Sequence, residues 1–216
     1  MNTYQRYSNK VIGFTFILAP VLLIAGVLAF LLGIGIGPFG ITSWVEGLLH
    51  AFAYLLLIPI YLKLAEILGR KAPRLAIVSA VFSLGIGVAI LPSNSRMLVH
   101  GLERAGYTIP VFSLDIPGFP FLFIYFALSI LASIMLGIGF LRYGGISRIS
   151  AICLILAPIV LIIGQGGDET IALWRVQIVY PLATVLWFVA LAPIGWRLLN
   201  GSADDGVEVG GVQTAV

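Results

Sequence analysis

Residues 44–75 read WVEGLLHAFAYLLLIPIYLKLAEILGRKAPRL and contain the clearest indication of the fold. The apolar run from Trp44 to about Leu68 is long enough for one helix to cross the hydrocarbon core of a bilayer, which takes about 20 residues. A basic turn, GRKAP at residues 69–73, ends the run, and a new apolar run begins at Leu75. The pattern predicts two transmembrane helices joined by a short basic turn.

Four more apolar blocks flank this pair, so the sequence predicts an all-α integral membrane bundle of about six transmembrane helices. The predicted spans are Val11–Ile36, Trp44–Leu68, Leu75–Leu91, Phe121–Leu141, Ile146–Ile163 and Ile178–Leu199. We expect residues 1–199 to form a single six-helix transmembrane domain. Residues 200–216 are rich in glycine and acidic residues and are expected to form a disordered cytoplasmic tail.

The composition excludes an ordinary soluble domain. Of the 216 residues, 60% are hydrophobic and only 10% are charged, whereas a soluble domain carries about 25% charged residues. The lone cysteine, Cys153, allows no internal disulfide and no cysteine-based metal site. No phosphate-binding loop or zinc-protease motif is present, so we predict no cofactor and no metal.

The distribution of lysine and arginine predicts the orientation of the chain. If the N-terminus lies in the cytoplasm, nine of the twelve basic residues fall on the inner side and three on the outer side. The inner set is Arg6, Lys10, Lys63, Arg70, Lys71, Arg74, Arg142, Arg148 and Arg197, and the outer set is Arg96, Arg104 and Arg175. Short loops follow the positive-inside rule, so both termini are expected in the cytoplasm. The basic residues lie at span ends, where they set orientation, and no nucleic-acid partner is predicted.

Glu46 and His50 are the most informative polar residues. They are four positions apart near the outer end of the second span and so share one helical face. An acid inside a span usually faces the bundle interior or a wet cavity, where it finds a partner. The pair is either a proton-handling or ligand-binding site, or an interfacial Glu-His contact that merely ends the apolar core. For a buried Glu46, the outer cations Arg96, Arg104 and Arg175 are the expected partners.

The long third connection predicts an amphipathic helix at the outer interface. Residues 94–104 have an apolar side, while Arg96, His100 and Arg104 follow one another at a spacing of four on the polar side, and Gly106 ends the helix. The simpler interpretation is a surface helix whose arginines contact lipid headgroups.

Asp168 and Glu169 lie in the connection before the sixth span. Asp168 suits a helix N-cap and Glu169 suits a first turn, a capping role that by itself explains both acids. Trp174 and Trp44 are expected in the outer aromatic belt. Together, the polar residues of the outer side predict a pocket open to the extracytoplasmic side. Its catalytic candidates are Glu46, His50 and Asp168, and its ligand-binding candidates are Arg96, His100, Arg104, Glu169, Trp174 and Arg175.

Several segments also resemble a known family. They are Ser43-Trp44, YLKL at 61–64, GRKAP at 69–73 and GFLRYGGISR at 139–148. The chain resembles, over about two thirds of its length, a family of small bacterial six-helix membrane proteins of unknown function. The resemblance implies a compact bundle in a bacterial plasma membrane and assigns no catalytic residue.

Three functional hypotheses remain open at this stage. The first is a protein that binds or processes a lipid-like hydrophobic small molecule, with Glu46 as acid or hydrogen-bond donor. The second is a non-catalytic accessory or assembly subunit with a membrane-protein partner. The third is a haem-binding subunit that uses His50 and His100 as axial ligands. The sequence does not decide whether the chain is an enzyme.

Overall fold

A computed structural model describes residues 3–36, 43–90, 101–102, 104–106, 119–165 and 174–201. The chain is all-α. Its helices within these ranges are α1 (Thr3–Leu31), α2 (Trp44–Gly69), α3 (Pro73–Ser83), α4 (Phe119–Tyr143), α5 (Arg148–Gln165) and α6 (Tyr180–Leu199). A 3₁₀ segment, Leu84–Ala89, continues α3, and a π-helical turn, Arg175–Val179, leads into α6. The predicted tail at 200–216 lies outside the described residues after Gly201.

Local signals in the sequence fix both ends of α2. Ser43 adopts an extended conformation and its side chain accepts a hydrogen bond from the Glu46 N–H, so it is the N-cap. At the other end, α2 stops at Gly69, and α3 begins at Pro73, which fits the first turn because a proline has no N–H to leave unpaired. The predicted span from Trp44 to Leu68 agrees with α2 to within one residue.

The end of α1 differs from the prediction. The helix stops at Leu31, whereas the predicted first span continued to Ile36. Gly33 and Gly35 have φ values of +74° and +70°, in the left-handed region that ends helices. Gly33 therefore lies in the turn that follows α1.

The helices of the described chain form a closed ring. Each packs against its neighbours in chain order, and α6 packs against α1 to close the ring. Glycines allow the closest approaches, as expected for helices that pack in a membrane. Gly13 of α1 faces Gly195 of α6, and a Cβ atom built on Gly195 would lie 2.6 Å from the Gly13 carbonyl oxygen.

A buried chain of hydrogen bonds joins four of these helices through a proline. Pro158 has no N–H to donate to the Leu154 carbonyl one turn earlier in α5. Ser133 of α4 donates to this carbonyl instead, at 2.6 Å, and accepts from the Tyr61 hydroxyl of α2 at 2.9 Å. The Trp187 indole of α6 donates to the Tyr61 oxygen at 3.4 Å. Each polar group in this chain of hydrogen bonds therefore has a partner from the protein itself.

The outer surface of the ring is apolar, which makes this a membrane-embedded protein. Large hydrophobic side chains such as Phe52, Ile77 and Ile149 are more than half exposed. Within the described ranges, the four segments Tyr7–Leu31, Trp44–Gly69, Phe126–Tyr143 and Arg175–Leu199 are long and apolar enough to cross a membrane. The other two, Pro73–Val88 and Arg148–Gly164, are apolar but shorter.

Candidate functional site

Glu46 and His50 lie on the inward face of α2, near its N-terminal end. Their relative exposures are 2% and 3%, and Glu46 is the one buried acid among the described residues. Burial of a carboxyl group in an apolar bundle is costly unless hydrogen bonds satisfy it. The carboxyl oxygen Oε1 of Glu46 lies 3.8 Å from Nδ1 of His50. This distance is too long for a direct hydrogen bond.

Tyr180, the first residue of α6, bridges the two side chains. Its hydroxyl oxygen lies 2.5 Å from Glu46 Oε1 and 3.2 Å from His50 Nδ1. An O···O distance this short is typical of a hydrogen bond that shares charge with a carboxyl group. Tyr180 is 3% exposed, so the three polar groups meet away from bulk solvent. We call Glu46, Tyr180 and His50 the polar triad.

Helix α1 holds the far side of the His50 ring. His50 Nε2 lies 3.1 Å from the carbonyl oxygen of Leu23. A carbonyl oxygen can only accept, so Nε2 carries a proton and Nδ1 faces Tyr180. Gly26 makes room for the ring: a Cβ atom at this position would lie 2.6 Å from His50 Cδ2. The triad therefore joins α1, α2 and α6.

Backbone features at the start of α6 position Tyr180. The Tyr180 N–H bonds to the Arg175 carbonyl, five residues earlier, which is the spacing of a π-helical turn. Pro181 follows and has no N–H that could bond to a carbonyl of the preceding turn. Gly164 of α5 lets the two backbones meet, because a Cβ atom there would lie 2.8 Å from the Tyr180 nitrogen. Single π-helical turns frequently occur at functional sites.

An aromatic cleft lies inside the ring beside the polar triad. Its free volume is about 30 Å³, and part of it is open to the surroundings. The residues that line it come from α2, the 3₁₀ segment, α4, α5 and α6, and include Tyr54, Tyr61, Phe126, Ile130 and Trp187. The Tyr54 ring is also in edge-to-face contact with His50, with the ring centroids 6.1 Å apart. Tyr54 therefore connects the cleft to the triad.

The structure gives the other candidates separate positions. Arg175 donates from Nε and Nη2 to the Ile163 carbonyl, at 2.8 and 2.5 Å, and so caps the C-terminal end of α5. Trp174 is 55% exposed, as expected for an interfacial tryptophan. Arg104 is exposed at the end of a short helical turn, where Gly106 has φ +85°.

Four of the predicted site residues lie outside the described part of the chain. They are Arg96, His100, Asp168 and Glu169. Residues 94–100 and 103 of the predicted interfacial helix lie outside it as well. These assignments remain predictions.

Sequence reasoning missed Tyr180. It expected an arginine beside Glu46. The structure places the Tyr180 hydroxyl and His50 there, and Arg96 lies outside the described residues, so an arginine partner stays a prediction. A tyrosine near the end of a predicted span normally indicates the aromatic belt. The pattern Ser43-x-x-Glu46 matches a capping box, in which the glutamate side chain folds back on its own helix. Here the Glu46 carboxyl reaches a different helix, a contact that no local pattern encodes.

The hydrogen bonds of His50 bear on the haem hypothesis. Nε2 contacts the Leu23 carbonyl and Nδ1 contacts the Tyr180 hydroxyl. An axial ligand needs one unprotonated ring nitrogen aimed at the iron. Ligation by His50 would break one of these two contacts and would require the ring to leave the space provided by Gly26.

Comparison of the chain with protein-family models, curated protein sequences and solved structures gives no significant match. The polar triad and the cleft are therefore interpreted from their own chemistry.

Proposed function

We propose that this protein binds or processes a lipid-like hydrophobic small molecule in the aromatic cleft, with the polar triad as its acid–base group. The observation that supports this proposal is that Tyr54 both lines the cleft and contacts His50 of the triad. Ligand sites in helical proteins are typically apolar and aromatic cavities with a few well-placed polar groups. The free volume of about 30 Å³ is smaller than such a molecule, so binding requires the lining side chains to move apart.

The cleft suits a planar or unsaturated apolar molecule. Four aromatic side chains, Tyr54, Tyr61, Phe126 and Trp187, contribute to its wall. Their rings offer broad apolar contact area, and Tyr and Trp add a polar edge that fixes orientation. The buried His50 imidazole contacts Tyr54, which lines the cleft, and exclusion of water strengthens the electrostatic interactions of the buried triad. General acid–base chemistry is therefore the activity that we propose for the triad.

A tryptophan placed in the cleft should displace the bound molecule. We expect Ile130→Trp to lower the fraction of protein that retains an apolar small molecule by at least about tenfold, equivalent to about 1.4 kcal/mol. Ile130 lines the cleft, so an indole at this position would occupy the space of the ligand. Native mass spectrometry after gentle extraction measures the retained fraction.

The matched control is the neighbouring Leu131→Trp. Leu131 is 45% exposed and lies outside the cleft on the same helix, so its substitution should leave retention unchanged. Equal retention in both variants, or no bound small molecule in the unmodified protein, would refute the proposed site. A stably bound protein in place of a small molecule would favour an accessory subunit.

We infer that all six helices span a bacterial plasma membrane, with both termini in the cytoplasm. The lysine and arginine distribution supports this orientation. The short turns after α2 and α4 place Lys71 and Arg148 at the same end of the ring as the start of α1. The triad then lies towards the extracytoplasmic end. The two shorter helices, α3 and α5, would cross by virtue of protein contacts on both sides.

Cysteine labelling in intact cells tests this topology. With Cys153 replaced by alanine, we expect Ile34→Cys and Arg104→Cys to react with a membrane-impermeant maleimide. Lys71→Cys should react only after the membrane is permeabilised. Ile34 is 50% exposed, and Lys71 and Arg104 are also exposed, so reactivity reports the side of the membrane. Reaction of Lys71→Cys in intact cells would reverse the orientation.

A further inference from the structure

Proton positions in the polar triad are constrained by the heavy-atom geometry. Nε2 of His50 must donate to the Leu23 carbonyl, which leaves Nδ1 and the Tyr180 hydroxyl facing each other at 3.2 Å. One proton has to lie between these two atoms, and another between Tyr180 and Glu46 at 2.5 Å. Counting the proton on Nε2, a fully hydrogen-bonded triad therefore holds three protons.

Two arrangements satisfy every one of these hydrogen bonds. In the first, a protonated Glu46 donates to the Tyr180 oxygen, and the Tyr180 hydroxyl donates to Nδ1 of a neutral His50. In the second, Tyr180 donates to a Glu46 carboxylate, and an imidazolium His50 donates from Nδ1 to the Tyr180 oxygen. Both contain three protons, and in both the charges of the three side chains sum to zero.

We propose that the polar triad is a proton relay in which the Tyr180 hydroxyl carries protons between Glu46 and His50. As the Glu46 O–H bond breaks, an O–H bond forms on the Tyr180 oxygen. As the original Tyr180 O–H bond breaks, an N–H bond forms at His50 Nδ1. The products are a carboxylate and an imidazolium, and Tyr180 is again a neutral hydroxyl that now donates to Glu46. The bridge is required because Glu46 and His50 are 3.8 Å apart.

The relay leads towards the cleft. His50 lies four residues deeper along α2 than Glu46, a displacement of about 6 Å at the rise of an α-helix. Its ring contacts Tyr54, which lines the cleft. A proton that enters at Glu46 is therefore delivered beside the space proposed for the lipid-like molecule. Only this last step rests on the proposed function, because the relay itself involves protein groups alone.

Nitrogen NMR of histidine tests the relay on the full chain in lipid nanodiscs. The protein has only two histidines, so the His50 signals are identified by their loss in His50→Gln. We expect Glu46→Gln to lower the protonated fraction at His50 Nδ1 by at least about tenfold, the low end of the effect of removing a neighbouring opposite charge. An amide neither supplies a carboxyl proton nor stabilises an imidazolium.

Two comparisons separate a relay from a merely structural contact. Glu66→Gln removes an exposed carboxylate from the same helix and should leave the His50 signals unchanged. In a Tyr180→Phe background, Glu46→Gln should shift the His50 signals much less, since the bridge is absent. If Glu46→Gln leaves the protonation state of His50 unchanged, the proposal is overturned. This result does not depend on whether Tyr180→Phe folds. If the His50 signals respond to Glu46→Gln but the protein retains no small molecule, the relay is supported and the proposed ligand is refuted.

Discussion

Replacement of His50 by alanine should destabilise the protein by about 3–5 kcal/mol. The substitution removes the partner that the Tyr180 hydroxyl and the Leu23 carbonyl contact, and leaves a buried Glu46 carboxyl beside a cavity. Loss of a buried, hydrogen-bonded side chain combines the cost of the broken hydrogen bonds with the cost of the cavity, and together they reach this size. Reversible unfolding in mixed detergent micelles measures the change in free energy.

Phe52→Ala is the matched control for this prediction. Phe52 lies two residues further along the same helix, is a larger side chain, and is 54% exposed, so its removal should have an effect below about 1 kcal/mol. Glu46→Gln should fall between the two variants, since an amide oxygen still accepts from Tyr180. If His50→Ala proves no less stable than Phe52→Ala, the triad contributes nothing to the bundle.

The substitution Gly195→Ala should separate α6 from α1 and destabilise the protein by about 2 kcal/mol. The new methyl group would lie 2.6 Å from the Gly13 carbonyl oxygen and 2.7 Å from Phe16 Cβ. Neither is the flexible end of a side chain, so the helices have to move apart, and overpacking of this kind typically has an effect of 1–3 kcal/mol. The same unfolding measurement in micelles detects it.

A glycine that lacks such contacts provides the comparison. Gly69, at the end of α2, has only the Ala76 Cβ nearby, at 3.5 Å, an ordinary contact distance. Gly69→Ala should be neutral or slightly stabilising, because alanine favours the helix. Equal stability of the two variants would show that the contact between α1 and α6 adjusts without loss.

The sequence predicts α2 well because both of its ends carry local chemistry. Ser43 supplies an N-cap, and a basic turn with Pro73 ends the pair of helices. The end of α1 was mispredicted for the opposite reason. Its residues remain apolar up to Ile36, so hydrophobicity continues after the backbone has left the helix at Gly33 and Gly35. Backbone conformation decided this boundary, and hydrophobicity alone does not report it.

The polar triad was only half predictable. Glu46 and His50 meet because residues four apart share a helix face, a relation that the sequence contains. Tyr180 lies 134 residues from Glu46 and reaches it because the ring closes with α6 packed against α1, beside α2. The order of helices around a ring depends on packing between distant segments. The residues that line the cleft are brought together by the same helix order, so the sequence did not predict them either.

Ser133 and Pro158 together determine which group donates to the Leu154 carbonyl, so they should evolve as a pair. With Pro158 present, loss of the Ser133 hydroxyl would leave this carbonyl without the donor that α4 supplies. With an alanine at 158, the helix would regain its own N–H donor, and the Ser133 hydroxyl would no longer be needed to bond the Leu154 carbonyl. Mutational drift at either position is therefore constrained by the other, although they are 25 residues apart in sequence and belong to different helices. During evolution, a proline at position 158 could be gained or lost most easily while Ser133 is still present.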